Sequence, residues 1–138
     1  GAREVMGMYT ELVMACKLKK NAPEDVVEML KYMVGDSEYP AAIPTHDLFK
    51  TDRWKFMLRC DSYYFDGDTN STFRYDDIRK SYVLTIRCNL KNYCDEIEEF
   101  LNWIIPYSNT NGFVGYSRYE ESETPTLIYF NEGKVELT

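Results

Sequence analysis

The spacing of apolar residues limits the folds available to this chain more than any other feature. Between Tyr9 and Leu18, apolar side chains recur at every second position, which predicts a β-strand. Over residues 21–35 they recur at helical spacing, with Pro23 near the start and Gly35 at the end, which predicts a helix. The side chains of the strand expected to face the core are Leu12, Met14, Cys16 and Leu18.

The same two patterns return along the rest of the chain. Alternation in residues 53–65 and 81–90 predicts two strands that pair as an antiparallel hairpin, and residues 92–105 predict a second helix. Residues 112–121 and 125–137 predict one or two more strands. The order β-α-β-β-α-β, with a C-terminal strand, favours an α+β, ferredoxin-like split β-α-β fold with one antiparallel sheet of 4–5 strands and two helices on one face.

The alternation also predicts which side chains of the hairpin face the core. In residues 53–65 the inward side chains are expected to be Trp54, Phe56, Leu58 and Cys60, with Lys55, Met57 and Arg59 outward. In residues 81–90 the inward side chains are expected to be Tyr82, Leu84, Ile86 and Cys88, with Val83, Thr85 and Arg87 outward.

Length and charge limit the classes of function. The 138 residues fit a single domain, 1–138, and residues 1–7 are expected to be a tag or start-site remnant. A net charge of −7 argues against non-specific binding to nucleic acid or to an anionic membrane, because both are polyanions. With neither a signal peptide nor a long apolar run in view, we expect a cytoplasmic protein with reduced thiols.

The acidic stretch YYFDGDTNSTFRYDD, residues 63–77, resembles a calcium-binding loop in part. Asp66, Asp68 and Asn70 have the right spacing for cation ligands, but Ser71 stands where such a loop has glycine. The flanking residues alternate as strands rather than forming helices, so a plain hairpin turn is the favoured prediction. A weak cation site is the alternative.

Few residues are candidates for catalysis. His46, followed by Asp47, is the only histidine, and Cys94 lies in the first turn of the second predicted helix beside two acidic residues that oppose thiolate formation. The chain has no phosphate-loop, dinucleotide-binding or nucleophile-elbow motif. The prediction is therefore a non-enzyme with no catalytic residue, no metal and no cofactor.

The outward side of the predicted sheet collects positive charge within an acidic protein. The expected ligand-binding residues are Arg59, Arg87, Lys55, Tyr116 and Arg118. Guanidinium groups suit carboxylate or phosphate, so this patch could hold a small anion such as a nucleotide or carboxylate, or an acidic partner. The alternative is that each arginine pairs across strands with Glu11, Asp61 or Glu120.

The central positions of the same side are small or apolar. Val13, Ala15, Val83 and Thr85 offer no aromatic ring for stacking a base, which argues against RNA binding. Such a patch is expected to be covered by a target protein or by a second copy of the chain in a homodimer. The long connection over residues 36–52 is a second expected contact surface.

Three runs carry a resemblance to a known group: TDRWKFMLRCDSYYF, LTIRCNLKNYCDEIEEFLNWIIPY and GYSRYEESETPTLIYF. They resemble a family of short, acidic, uncharacterised proteins of bacterial phages, prophages and other mobile elements. The resemblance implies no catalytic residue, but it implies that such a protein binds and blocks a host protein or sequesters a signalling molecule. The leading prediction is therefore a non-enzymatic binding protein, and a small anionic-ligand binder is the alternative.

Overall fold

The computed structural model describes residues 8–138, which form an α+β structure with one antiparallel sheet of six strands and two helices. The expected tag or start-site remnant, residues 1–7, lies outside the described residues. The strands are β1 (Thr10–Lys17), β2 (Thr72–Asp76), β3 (Ser81–Leu90), β4 (Gly112–Tyr119), β5 (Thr126–Asn131) and β6 (Lys134–Leu137). The helices are α1 (Glu24–Met33) and α2 (Glu96–Ile104), with short 3-10 turns at Asp47–Lys50, Met57–Arg59 and Ile105–Tyr107.

The strands follow the order β2-β3-β1-β4-β5-β6, and every neighbouring pair is antiparallel. Strand β1 lies in the middle and pairs with β3 on one side and β4 on the other. The sheet is larger than the expected four or five strands, because the C-terminal residues form the hairpin β5–β6. Its turn places Glu132 and Gly133 in the left-handed region, where glycine is favoured.

A single hydrophobic core lies between the sheet and both helices. Alternate side chains of β1 and β3 enter it, as the period of two predicts; they are Leu12, Met14, Cys16, Leu84, Ile86 and Cys88. The apolar stripes of the two helices enter the same core with Val26, Met29, Leu30, Met33, Ile97, Phe100, Leu101 and Ile104. Both helices therefore cover the same face of the sheet.

The prediction of a strand over residues 53–65 is wrong. Trp54, Met57 and Leu58 are buried together, and residues Met57–Arg59 form a 3-10 turn that packs against β3 and α1. Buried positions separated by three and four residues are typical of a helical turn rather than a strand. The alternation is misleading because Phe56, Met57 and Leu58 are apolar in succession. Met57, rather than Phe56, enters the core.

Helix α2 anchors this segment through a buried carboxylate. Glu96 is fully buried, and its Oε2 accepts a hydrogen bond of 3.1 Å from the backbone N–H of Arg53. The Arg53 guanidinium lies 3.6 Å from the same oxygen, so the buried charge is compensated. The chain is thereby held against the start of α2, where the turn at Met57 can form.

The true hairpin partner of β3 lies inside the stretch predicted to be a turn. Strand β2 pairs with β3 from Thr72 opposite Thr85 to Asp76 opposite Ser81. The turn between them uses Asp76, whose carboxylate accepts hydrogen bonds from the backbone N–H groups of Ile78 and Arg79. The bond from the Arg79 side chain holds the pKa of Asp76 below its ordinary value.

Two neighbouring side chains test the corrected placement of residues 53–60. Met57 is 0% exposed and Phe56 is 43% exposed, the reverse of the strand prediction. We expect Met57→Ala to lower the free energy of unfolding by about 2–5 kcal/mol, because it leaves a cavity in the core. Phe56→Ala should cost less than about 1 kcal/mol.

Urea denaturation of both variants beside the wild type measures these costs. The two substitutions lie next to each other in sequence, so each serves as the control for the other. If Phe56→Ala proves the more destabilising, the segment is a strand with Phe56 inward and the correction fails.

Candidate functional site

The face of the sheet that points away from the helices, here called the open face, is the candidate site. The strand register arranges its side chains in rows that cross the sheet. From one end to the other, the rows are Asn89, Glu11 and Arg118; Arg87, Val13, Tyr116 and Leu127; Thr72, Thr85 and Ala15; and Arg74, Val83 and Lys17.

One end of the open face is a compensated charge cluster. Glu11, in the middle strand, is only 4% exposed although it lies on the face without helices. Its Oε1 lies 3.4 Å from Nη2 of Arg118, and its Oε2 lies 3.9 Å from Nη2 of Arg87. The two arginines therefore flank a single buried carboxylate, which is the arrangement the cross-strand alternative predicts.

Residues 61–70 cover this cluster and are here called the cover segment. Phe65 is buried, and its ring centre lies 5.0 Å from the guanidinium carbon of Arg118. Arg87 donates a hydrogen bond of 3.0 Å from Nη2 to the carbonyl oxygen of Asp66. Gly67, the next residue, has a φ of 98°, in the left-handed region that glycine favours, which allows the backbone to turn beside the Arg87 side chain.

The acidic stretch is thus more than a plain hairpin turn. Its first half lies across the sheet as the cover segment, and its second half contains β2. Within residues 8–138, no group of three or more histidine, cysteine or acidic side chains is placed to hold a metal ion.

The middle of the open face is left uncovered and forms a depression of about 370 Å³, here called the central depression. Its lining is mainly apolar, with Val13, Ala15, Thr85, Phe113, Gly115 and Tyr116 among its members. Asn70 and Arg87 provide polar groups on the side of the cover segment. A mostly apolar concavity with a few polar groups at one edge is typical of a binding site.

Phe113, which is 56% exposed, was not anticipated as part of this surface. It pairs with Tyr129 while Tyr116 pairs with Leu127, and a register shift between Phe113 and Gly115 lies between these pairs. The bulge turns Val114 into the core and leaves Phe113 and Tyr116 on the same face, which the period of two does not predict.

Gly115 makes this bulge possible. A Cβ at that position would collide with the carbonyl oxygen of Val13 and lie 2.6 Å from the Cα of Met14. Glycine inside a predicted strand often marks a bulge or a close backbone approach, so this residue was the signal in the sequence that could have located Phe113.

The far end of the open face is basic. Lys17 and Arg74 lie on either side of Val83 in the last row. Within residues 8–138, neither side chain forms an ion pair, in contrast to Arg87 and Arg118 at the other end. The uncovered surface therefore has an apolar centre and a basic edge in a chain of net charge −7.

The five residues predicted to bind an anion do not share one surface. Arg87, Tyr116 and Arg118 lie on the open face, as expected. Arg59 instead packs against Gly35 after α1, and the Lys55 ammonium lies 5.5 Å from the ring centre of Tyr39, both in the layer that covers the opposite face. This separation follows from the wrong strand prediction for residues 53–65.

The connection over residues 36–52, predicted as a contact surface, is anchored to the core near its end, and about half of its residues are exposed. Leu48 is completely buried, and the Phe49 ring centre lies 4.9 Å from that of Trp54 and 5.3 Å from that of Trp103. His46 accepts a hydrogen bond of 3.0 Å at Nδ1 from the backbone N–H of Leu48, where it caps the turn Asp47–Lys50.

The buried thiols are poor nucleophiles. Burial raises the pKa of Cys16 to about 12 and raises the pKa of Cys88 as well, so both remain protonated at neutral pH. The half-buried Cys60 is shifted in the same direction, again mainly by desolvation.

Comparison of this chain with protein-family models, with curated proteins and with solved structures gave no match. Among residues 8–138, no helix has the length and apolar character required to span a bilayer. The functional interpretation therefore depends on the geometry of the open face.

Removing the two arginines beside Glu11 should have a non-additive effect on stability. We expect Arg87→Ala and Arg118→Ala each to cost about 1 kcal/mol, because one cation still compensates Glu11. The double variant should cost about 3 kcal/mol or more, since it leaves a buried carboxylate without a partner.

Urea denaturation of the four proteins of this cycle measures the coupling. Adding Glu11→Gln to the double variant should recover part of the loss, because it removes the uncompensated charge. Strict additivity, or no recovery with Glu11→Gln, would contradict the assignment of the arginines to Glu11.

Proposed function

We propose that this chain is a non-enzymatic binding protein whose open face docks a partner protein. The observation that carries the proposal is the central depression, an apolar surface left uncovered in the middle of the sheet, with two cations that form no ion pair within residues 8–138 in the next row on one side. Uncovered sheet faces are usually polar, and contiguous exposed apolar patches mark interaction sites.

The charge pattern specifies the kind of partner. Lys17 and Arg74 leave the edge of the central depression positive, so a complementary partner presents apolar side chains flanked by acidic residues. A second copy of the chain would bring the same uncompensated cations to the same interface, because a twofold contact uses one patch twice. We therefore favour a different protein over the expected homodimer.

We further propose that the first four strands and both helices form a ferredoxin-like unit in the cytoplasm. The order β2-β3-β1-β4, with α1 between β1 and β2 and α2 between β3 and β4 along the chain, supports this assignment. Strands β5 and β6 then extend the sheet beyond that unit. The extension adds Leu127 and Tyr129 to the surface offered to a partner.

The resemblance to small acidic proteins of mobile elements supports the role of an inhibitor that blocks a host protein. An inhibitor of this kind needs a binding surface and does not need a nucleophile or a general base beside it. The alternative, a small anion held by the predicted basic patch, is less favoured, because Arg87 and Arg118 flank Glu11 and because Arg59 and Lys55 lie elsewhere.

Substitutions in the central depression should abolish partner binding without unfolding the protein. Ala15 is exposed in the central depression, and Ala15→Glu places a bulky charge where we expect apolar side chains of the partner. Ile78→Glu introduces the same side chain at the tip of the β2–β3 turn, where Ile78 is 92% exposed, and serves as the matched control.

The experiment uses affinity purification from a bacterial lysate, followed by titration of the recovered partner in purified form. We expect the wild type and Ile78→Glu to bind it equally and Ala15→Glu to weaken binding by at least about a hundredfold, as loss of a hot spot does. The melting temperatures establish that both variants fold. Equal binding by Ala15→Glu, or a signal abolished by nuclease, would contradict the proposal.

A further inference from the structure

A second concavity lies outside the open face, between the β1–α1 connection and the end of the β2–β3 hairpin. It has a volume of about 160 Å³ and is here called the lysine cleft. Its lining residues come from three chain segments that the fold brings together: Lys19, Lys20, Ala22, Glu24 and Val27; Tyr75; and Lys80, Ser81 and Tyr82.

The lysine cleft concentrates positive charge in an acidic protein. Lys19, Lys20 and Lys80 line it, and within residues 8–138 none of the three forms an ion pair. Glu24 is the one carboxylate of the lining, so three ammonium groups face a single compensating charge. In a chain of net charge −7, such a cluster makes this concavity locally favourable to an anion.

A hydroxyl group in the lysine cleft is available to a ligand. Ser81 is only 4% exposed and lines the cleft, and its side chain forms no hydrogen bond with any residue between 8 and 138. A hydroxyl donates to phosphate oxygens readily, so an anion in the cleft would satisfy it.

The backbone around the lysine cleft has features that fit the same ligand. Helix α1 begins beside the cleft, and Pro23 provides no side-chain hydrogen bond to its first turn. Lys80 has a φ of 58°, an uncommon conformation for a residue other than glycine, asparagine or aspartate. Such backbone positions are often retained where they place a functional side chain.

Size and charge together define the ligand. A volume of about 160 Å³ is well below the roughly 300–1,000 Å³ of pockets that hold drug-sized molecules, so the cleft accommodates one small group. We propose that the lysine cleft binds a phosphate group, either as free phosphate or as the terminal group of a small phosphomonoester. The exposed ring of Tyr75 lies at the same site and would contact the organic part of an ester.

Calorimetric titration with inorganic phosphate and with phenyl phosphate at low ionic strength tests the proposal. We expect saturable binding of phosphate that weakens roughly two- to fivefold in Lys20→Ala and in Lys80→Asn, as for other exposed ion pairs. Asparagine at position 80 tolerates the left-handed backbone, so that variant removes the charge without adding strain. Ser81→Ala should weaken binding similarly, and Glu24→Gln should strengthen it.

The matched control is Lys134→Ala, which removes an exposed lysine of β6, outside the lining of the lysine cleft. It should leave phosphate binding unchanged, and thermal melts establish that each variant is folded. Tighter binding of phenyl phosphate than of phosphate would identify an ester as the ligand, whereas equal binding would identify free phosphate. Absence of saturation up to about 20 mM phosphate, or equal weakening by Lys134→Ala, would overturn the proposal.

Discussion

A buried carboxylate at one end of the exposed side of the sheet determines how this face is used. Glu11 lies on the central strand, where desolvation of its charge must be offset by nearby cations. Arg87 and Arg118 reach it from the two neighbouring strands, and the cover segment seals the cluster with Phe65. Because the cover segment is held at that end, the central depression remains open beside it.

Several cations without an ion pair lie at the opposite end of the sheet. Lys17 and Arg74 form the basic edge of the open face, and the lysine cleft begins two residues after Lys17. Arginines at the covered end are used internally, whereas these lysines and Arg74 have no ion pair within residues 8–138. In an acidic chain this division separates the charges that stabilise the fold from those available to a partner or an anion.

Much of the fold could be predicted from periodicity, because β1, β3, α1 and α2 each bury one regular face. The prediction failed where that regularity is interrupted. Residues 53–59 are rich in apolar side chains at successive positions, so alternation could not distinguish a strand from the 3-10 turn around Met57. The site was predicted in part: Val13, Ala15 and Thr85 were correctly placed outward, but the bulge at Gly115 concealed Phe113.

The most direct test of the account is the solvent exposure of the Ala15 methyl group in the free protein, measured by NMR with a soluble paramagnetic agent. At low protein concentration we predict strong broadening of this signal. The methyl groups of Leu12 and Met14, on the same strand but in the core, should remain sharp. A protected Ala15 methyl group under these conditions would mean that the chain covers its own open face, and would contradict the proposal that this face awaits a partner.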